Sequence, residues 1–328
     1  MVLSAAPIVV TGAGGFIGAA CCRRMQARGQ PVRRFVHAHA APDASGDAVA
    51  VDLARVHADP LTQALRGAFA VVHLAGRAHV MNEFAPDAEA AYRLANVDAT
   101  ERLALAAVAA GVHRFVFAST VKVNGESTLP GRPFEPGDPA APHDAYARSK
   151  LAGELALARA ASGTAMVATT LRLPLVYGRG ARGNFRRLVD AVAARRFLPL
   201  GAIDNRRSLV ALDNLLDAID AVLDAPSPVA GTHFVADATA ISTPDLVRAI
   251  AAALGVAPRL VPVPVTVLRV AGALSGRSDA VTRLAGSLEV DTASLSHATR
   301  WRPRPVSIDA ASVGAAAAGD MSEHASPL

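Results

Sequence analysis

A chain of 328 residues, 52% hydrophobic and 19% charged, is long enough for a large buried core, which excludes a disordered or fibrous protein. Its formal net charge of +5 suits an anionic partner, but the arginines are scattered, with no long basic block and no aromatic–basic interleaving; that favours a nucleotide-sized anion over nucleic acid. The only cysteines, Cys21 and Cys22, are adjacent, a spacing that seldom forms a disulfide and builds no metal site, so a reducing, cytoplasmic setting is expected.

In chain order, the apolar run from Pro7 to Val10 predicts a first strand, leading into Thr11-Gly12-Ala13-Gly14-Gly15-Phe16-Ile17-Gly18 and a helix. Because that run opens the fold, it is not read as a cleavable leader, and export is not expected. Gly12, Gly15 and Gly18 lack the Cβ atoms that hold a diphosphate off the backbone, and the helix they start presents unpaired amides. The turn, with Phe16 and Ile17 inside it, is a candidate dinucleotide cradle. A glycine triplet alone also fits an ordinary tight turn, so the rest of the chain has to support it.

Val32 to His37 predicts a second strand whose end meets the adenosine ribose. His37, His39, Arg33 and Arg34 stand there with no carboxylate before Asp43, which favours NADP(H) while leaving NAD(H) open. Ala48 to Val51 is a third strand, with Asp52 and Leu53 expected at the adenine edge. Ala70 to Gly76 is a fourth; its small-residue exit, Leu74-Ala75-Gly76, lets backbone lie against a cofactor, and His73 reads as a satisfied core group. A helix from about Asp87 to Ala110 ends at Gly111. Arg114 to Thr120 is a fifth strand, apolar as one buried on both faces is. The βαβ alternation predicts an α/β fold, a doubly wound parallel Rossmann sheet with a smaller C-terminal α/β lobe.

Ligands of such sheets sit beyond the carboxyl ends of the strands, where Ser119 and Thr120 fall. After a Pro/Gly-rich loop from Gly125 to Pro142, Asp144 is the expected N-cap of a helix carrying Tyr146 and Lys150 one turn apart. An ammonium near a phenol favours phenolate, so this spacing predicts a lowered Tyr146 pKa and an acid/base role, with Thr120 holding the reacting oxygen. Leu260 to Leu274 is the most hydrophobic later stretch, but Pro262, Pro264 and Arg269 interrupt it, and no stable membrane insertion is expected.

The segments TGAGGFIG, VVHLAG, FVFAST, Tyr146-Ala-Arg-Ser-Lys150 and Leu171 to Gly178 together resemble the extended short-chain dehydrogenase/reductase family, the NAD-dependent epimerase/dehydratases that handle nucleotide sugars. The resemblance implies a catalytic triad of Thr120, Tyr146 and Lys150, with Val123-Asn124-Gly125 selecting Thr120 over Ser119. It implies a UDP-sugar substrate held by Asn184, Arg207 and Arg283; the arginines around Asn184 alternatively are solvated. Residues 1–175 become the NAD(P)-binding Rossmann domain and 176–328 mainly the nucleotide-sugar lobe, with about 205–236 returning to the first. Homodimers through helices flanking the active site are a further implication. Sugar dehydratases of the family carry Asp-Glu where this chain has Val121-Lys122, which leaves C4 chemistry. Asn124 resembles a branch acting on surface-polysaccharide sugars, and with the missing ribose carboxylate it favours a 4-keto-sugar reductase over a 4-epimerase. Retention of Thr120, Tyr146 and Lys150 together disfavours the remaining reading, a non-catalytic dinucleotide sensor.

Overall fold

The structure, a computed structural model, describes residues 6–37, 48–78, 88–276 and 278–317. The expectations placed on His39 and Asp43 lie outside these. Strand β1 (Ile8–Thr11) runs parallel to β2 (Val32–Val36), which pairs with β3 (Ala48–Ala50), and on its other side to β4 (Ala70–His73). Next come β5 (Arg114–Thr120), β6 (Val167–Leu173) and β9 (Gly231–Phe234), giving one seven-stranded parallel sheet of order β3-β2-β1-β4-β5-β6-β9. The order reverses at β1 and β4, where a doubly wound sheet opens a crevice.

Strand alternation builds both faces. Val9, Val71, Phe115 and Phe117 point to one side, where α2 (Ala58–Leu65), α4 (Ala99–Ala109) and α5 (Ala145–Ala161) cover them. Val10, Val72 and Val116 point to the other, packed beneath α1 (Phe16–Ala27) and α7 (Leu212–Asp224). Cys21 and Cys22 are free and buried in this second layer, and Trp301 packs there too, its indole nitrogen donating to the Asn214 carbonyl at 3.2 Å. His73 is a core group as expected, its ring nitrogens bonded to the Thr11 and Thr100 hydroxyls at 2.7 and 3.0 Å.

The helix expected up to Ala110 is not continuous. It divides into α3 (Ala88–Arg93), a π turn at Leu94–Asp98 and α4, before Gly111 closes it with φ +75°. Such a turn inserts one residue into the ladder and redirects a side chain. Here that side chain is Asn96, buried and bonded to both backbone groups of Arg77, with Oδ1 accepting at 2.8 Å and Nδ2 donating at 3.0 Å.

Beyond β6, β7 (Leu175–Tyr177) pairs with β8 (Leu209–Ala211) outside the main sheet. A separate core around Tyr177, Phe185, Val189, Val247 and Ile250 is built by α6 (Asn184–Ala193) and α8 (Thr243–Ala253). The helices α9 (Val265–Leu274), α10 (Ser278–Ala285), α11 (Ala293–Ala298) and α12 (Ala310–Ala317) complete the chain. Among the described residues no helix is long and apolar enough to cross a membrane.

Candidate active site

The cradle forms where β1 gives way to α1. Gly12 has φ +65°, and a Cβ built on Gly18 would stand 2.1 Å from the Gly12 carbonyl oxygen, so the turn closes only with glycine at both positions. No side chain caps the start of α1 at Gly15, which leaves its first amides available to an anion. Gly12 also packs against the exit of β4, where its Cβ would lie 2.8 Å from the Ala75 nitrogen, and the Thr11 hydroxyl accepts from that same amide at 3.2 Å. The turn and the Leu74-Ala75-Gly76 segment thus form one surface. These residues fit a dinucleotide: the approach is glycine-lined and the amides are uncapped.

At the adenosine end, His37 is exposed just past β2, and Asp52 follows β3 with its carboxylate accepting from the Ala54 amide at 3.1 Å. Leu53 is buried beside it. Arg33, one of the cations weighed for this end, is turned elsewhere: its guanidinium bonds the Ala64 and Arg66 carbonyls at the end of α2. Arg33 stands near the start of β2, where the end of α2 supplies these carbonyls, and His37 stands past the strand's exit.

Thr120 ends β5, and Tyr146 and Lys150 follow on α5. The Thr120 hydroxyl lies close enough to the Tyr146 phenol to act on its pKa, and the Tyr146 ring lies 6.0 Å, centroid to centroid, from Tyr92. Ser119, one residue earlier, donates instead to the buried Glu154 carboxylate. That carboxylate also takes a two-pronged bond from Arg172, at 3.0 and 2.6 Å, while Asn124 accepts from the third Arg172 nitrogen at 2.8 Å. Asn124 is therefore part of the wall behind Thr120.

The electrostatics differ from the expectation that Lys150 lowers the Tyr146 pKa. Loss of solvent around the phenol pushes Tyr146 above its ordinary value, the Asp144 carboxylate adds to the rise, and the neighbouring Thr120 hydroxyl opposes it. Lys150 is itself desolvated: burial pulls it down to about 7, against the pull of Glu154. Its Nζ sits 4.0 Å from the centroid of the Phe117 ring. Spacing along a helix sets which side chains are neighbours, but the degree of burial decides which protonation state wins.

Asp144 caps α5, accepting from the Ala147 amide at 2.6 Å. Two further residues beside the triad carry no simple sequence signal. Asn96 donates to Ser149 Oγ at 2.9 Å, tying the π turn to the helix of Tyr146 and Lys150, and Lys122 Nζ donates to Asp144 at 2.7 Å.

Of the expected substrate residues, Arg207 and Arg283 come together. Arg207 donates to the Gly286 carbonyl at 2.8 Å, and Arg283 on α10 faces both Arg207 and Asp144 closely enough for their charges to interact. Burial lowers the Arg207 pKa. Asn184 is exposed on the first turn of α6, beyond a segment that meets the glycine turn: a Cβ on Gly180 would lie 3.6 Å from the Phe16 ring. Among the described residues no group of three or more His, Cys, Asp or Glu side chains is placed to hold a metal ion.

Residues 8–236 match the model of the NAD dependent epimerase/dehydratase family. The chain belongs to that family. A UDP-glucose 4-epimerase of Vibrio cholerae is 35% identical over 298 residues, 90% of each chain. A dTDP-6-deoxy-L-talose 4-dehydrogenase (NAD(P)(+)) of Kitasatospora kifunensis is 33% identical over 228 residues, 65% of this chain and 69% of that one. The UDP-glucose 4-epimerase of Thermus thermophilus, solved in complex with NAD, superposes with a TM-score of 0.75 at 22% identity, over 95% of this chain and 99% of the other. This epimerase/dehydratase is thus an NAD-dependent enzyme of the short-chain dehydrogenase/reductase type on a Rossmann sheet.

Proposed function

We propose that the protein interconverts the C4 epimers of a UDP-linked hexose. The observation that carries this is the placing of Thr120, at the end of β5, beside the Tyr146 phenol, with Lys150 one helical turn on and the glycine turn at the same sheet edge. Gly12, Gly15, Phe16, Ile17 and Gly18 hold the diphosphate of the dinucleotide, His37, Asp52 and Leu53 its adenosine end, and Leu74, Ala75 and Gly76 lie along it. Bound there, the nicotinamide supplies the hydride acceptor and donor. Tyr146 takes the proton of the C4 hydroxyl and returns it after the sugar has turned over, while Thr120 fixes the oxygen. Lys150 bonds the nicotinamide ribose, and an anion beside it favours its ammonium, which in turn favours the phenolate.

Arg207 and Arg283 grip the UDP diphosphate, for which two planar guanidiniums are suited, and Asn184 adds to that site. Residues 1–175 serve the cofactor and 176–328 mainly the sugar nucleotide, with about 205–236 contributing α7 and β9 to the first part. The Vibrio cholerae relative, matched over nine-tenths of both chains, supports epimerisation.

One observation favours a second reading, reduction of a UDP-4-keto-6-deoxy-N-acetylhexose for surface-polysaccharide synthesis with NADP(H). Strand β2 is followed by His37, and the sequence offers no carboxylate before Asp43 for the ribose 2′-hydroxyl. Incubation with UDP-glucose, UDP-galactose, their N-acetyl forms and a UDP-4-keto sugar, followed by NMR of the products, separates the two. An epimerase interconverts the C4 pair with no net change in cofactor; a reductase consumes one NAD(P)H per product. Tyr146→Phe is expected to lower kcat by about 10²- to 10⁴-fold with dinucleotide binding kept, and turnover equal to the parent's overturns the assignment of Tyr146.

A further inference from the structure

Of the 33 lysines and arginines in this chain only two are lysines, Lys122 and Lys150. Both lie within the active-site architecture. Lys150 has its role there already; Lys122 has none. It follows Thr120 by two residues, on the short helical turn Val121–Val123, whose start the Thr120 side chain caps by accepting from the Lys122 amide at 3.3 Å. Its single ammonium reaches two carboxylates, Asp144 at 2.7 Å and Glu126 at 2.9 Å. A compact ammonium can serve two acceptors from one atom, whereas a guanidinium spreads its donors over a planar fork.

Asp144 is the consequential partner. One of its oxygens caps α5 and the other takes Lys122, and Tyr146 is two residues further on. We propose that Lys122 is a positioning residue for Tyr146: it locks the cap of α5 to the turn that follows Thr120, and it neutralises the Asp144 carboxylate that faces the Tyr146 phenol. The proposal rests on Tyr146 being the acid and base of the reaction.

The charges around the phenol are consistent with this. Asp144 faces Tyr146 from the start of α5, Lys150 follows on the same helix, Thr120 approaches from β5, Tyr92 from α3, and Arg283 on α10 faces Asp144. Of the charges that oppose phenolate at this phenol, that of Asp144 is the larger, ahead of Tyr92. Burial alone would raise the Asp144 carboxyl, but the bonds from Lys122 and the Ala147 amide outweigh it and hold Asp144 below the usual carboxylate range. Burial alone would likewise lower Lys122, and its two carboxylates hold it above its ordinary value. The pair is therefore ionised throughout the neutral range, and its compensation of Asp144 does not depend on pH there.

The test is the pH profile of kcat for Lys122→Met, Asp144→Asn and the double variant, with cofactor saturating. Asparagine still caps a helix, so Asp144→Asn removes the charge and keeps the cap. Lys122→Met leaves Asp144 without its ion-pair partner, and the limb set by Tyr146 is expected to move up by about one pH unit. Asp144→Asn leaves Lys122 without that partner, and the limb moves down. The double variant returns close to the parent. A purely structural role lowers kcat equally at all pH values, and unmoved limbs in both single variants overturn the proposal. Should Lys122→Met fail to fold, a limb unmoved in Asp144→Asn is enough to overturn it. Tyr146→Phe, run alongside, separates this failure from that of the catalytic reading: if it turns over like the parent, the limb does not belong to Tyr146 at all.

Discussion

A single methyl group distinguishes two glycines of the first turn. On Gly18 it would stand 2.1 Å from a backbone oxygen that cannot move without opening the turn; on Gly14 its nearest neighbour is a Val36 methyl at 4.0 Å. Gly18→Ala is therefore expected to weaken dinucleotide binding at least tenfold, and Gly14→Ala to leave it within about twofold, as read by fluorescence titration with NAD(P)H. Behind Thr120, Glu154 holds Ser119 and the buried Arg172 together. Removing the carboxylate strands a buried guanidinium, so Glu154→Ala should cost about 3–5 kcal/mol in urea unfolding. Asn124, read from the sequence as a resemblance to a branch acting on surface-polysaccharide sugars, satisfies the remaining Arg172 nitrogen.

Helix α5 carries Tyr146 and Lys150, and their spacing could be read directly from the chain. Its third contribution could not. Gly153 lies against the π turn, where a Cβ would fall 2.5 Å from the Asn96 carbonyl oxygen. The close approach lets Asn96 reach Ser149 and the Arg77 backbone together. Gly153→Ala should therefore push α5 off the turn, lowering stability by about 1–3 kcal/mol and kcat as well, measured by thermal unfolding beside the activity assay. Glycine in a helix interior normally signals only a weaker helix; its need here comes from a backbone atom far along the chain that no local pattern names. The strands were easier, because alternation and apolar runs follow from chain geometry alone: β5 spans the expected Arg114–Thr120.

For the molecule as a whole, the two layers flanking the sheet are secured differently. On the α1 side, Arg24 and Arg28 reach Asp217, Asp220 and Asp224 of α7, a row of partly exposed ion pairs whose individual contributions are small. On the other side His73 is fully enclosed and its pKa is pulled from 6.5 to about 3, first by burial and then by the charge of Lys150. A histidine held neutral in the fold binds a proton more readily once unfolded. Its stabilising effect is thus complete above pH 6.5 and is lost progressively as pH falls from there towards 3. Between pH 7 and 5 this amounts to about 2 kcal/mol. The urea midpoint should fall over that interval in the parent and fall less in His73→Leu, which is less stable at pH 7 but lacks the titrating ring.

The amino-acid sequence by itself determined the parallel sheet, the glycine turn at its reversal, and the presence of a strand-end threonine, a tyrosine and a lysine at helical spacing, because all of these depend on chain periodicity and on the sizes of neighbouring residues. Only the tertiary structure decided the protonation of Tyr146 and Lys150, the turning of Arg33 away from the ribose end, the seat of Asn96 against Gly153, and the clasp of Lys122 on Asp144. Each of these depends on how much water is excluded around a group and on which distant charge is brought beside it. Spacing along the chain carries neither quantity; packing does.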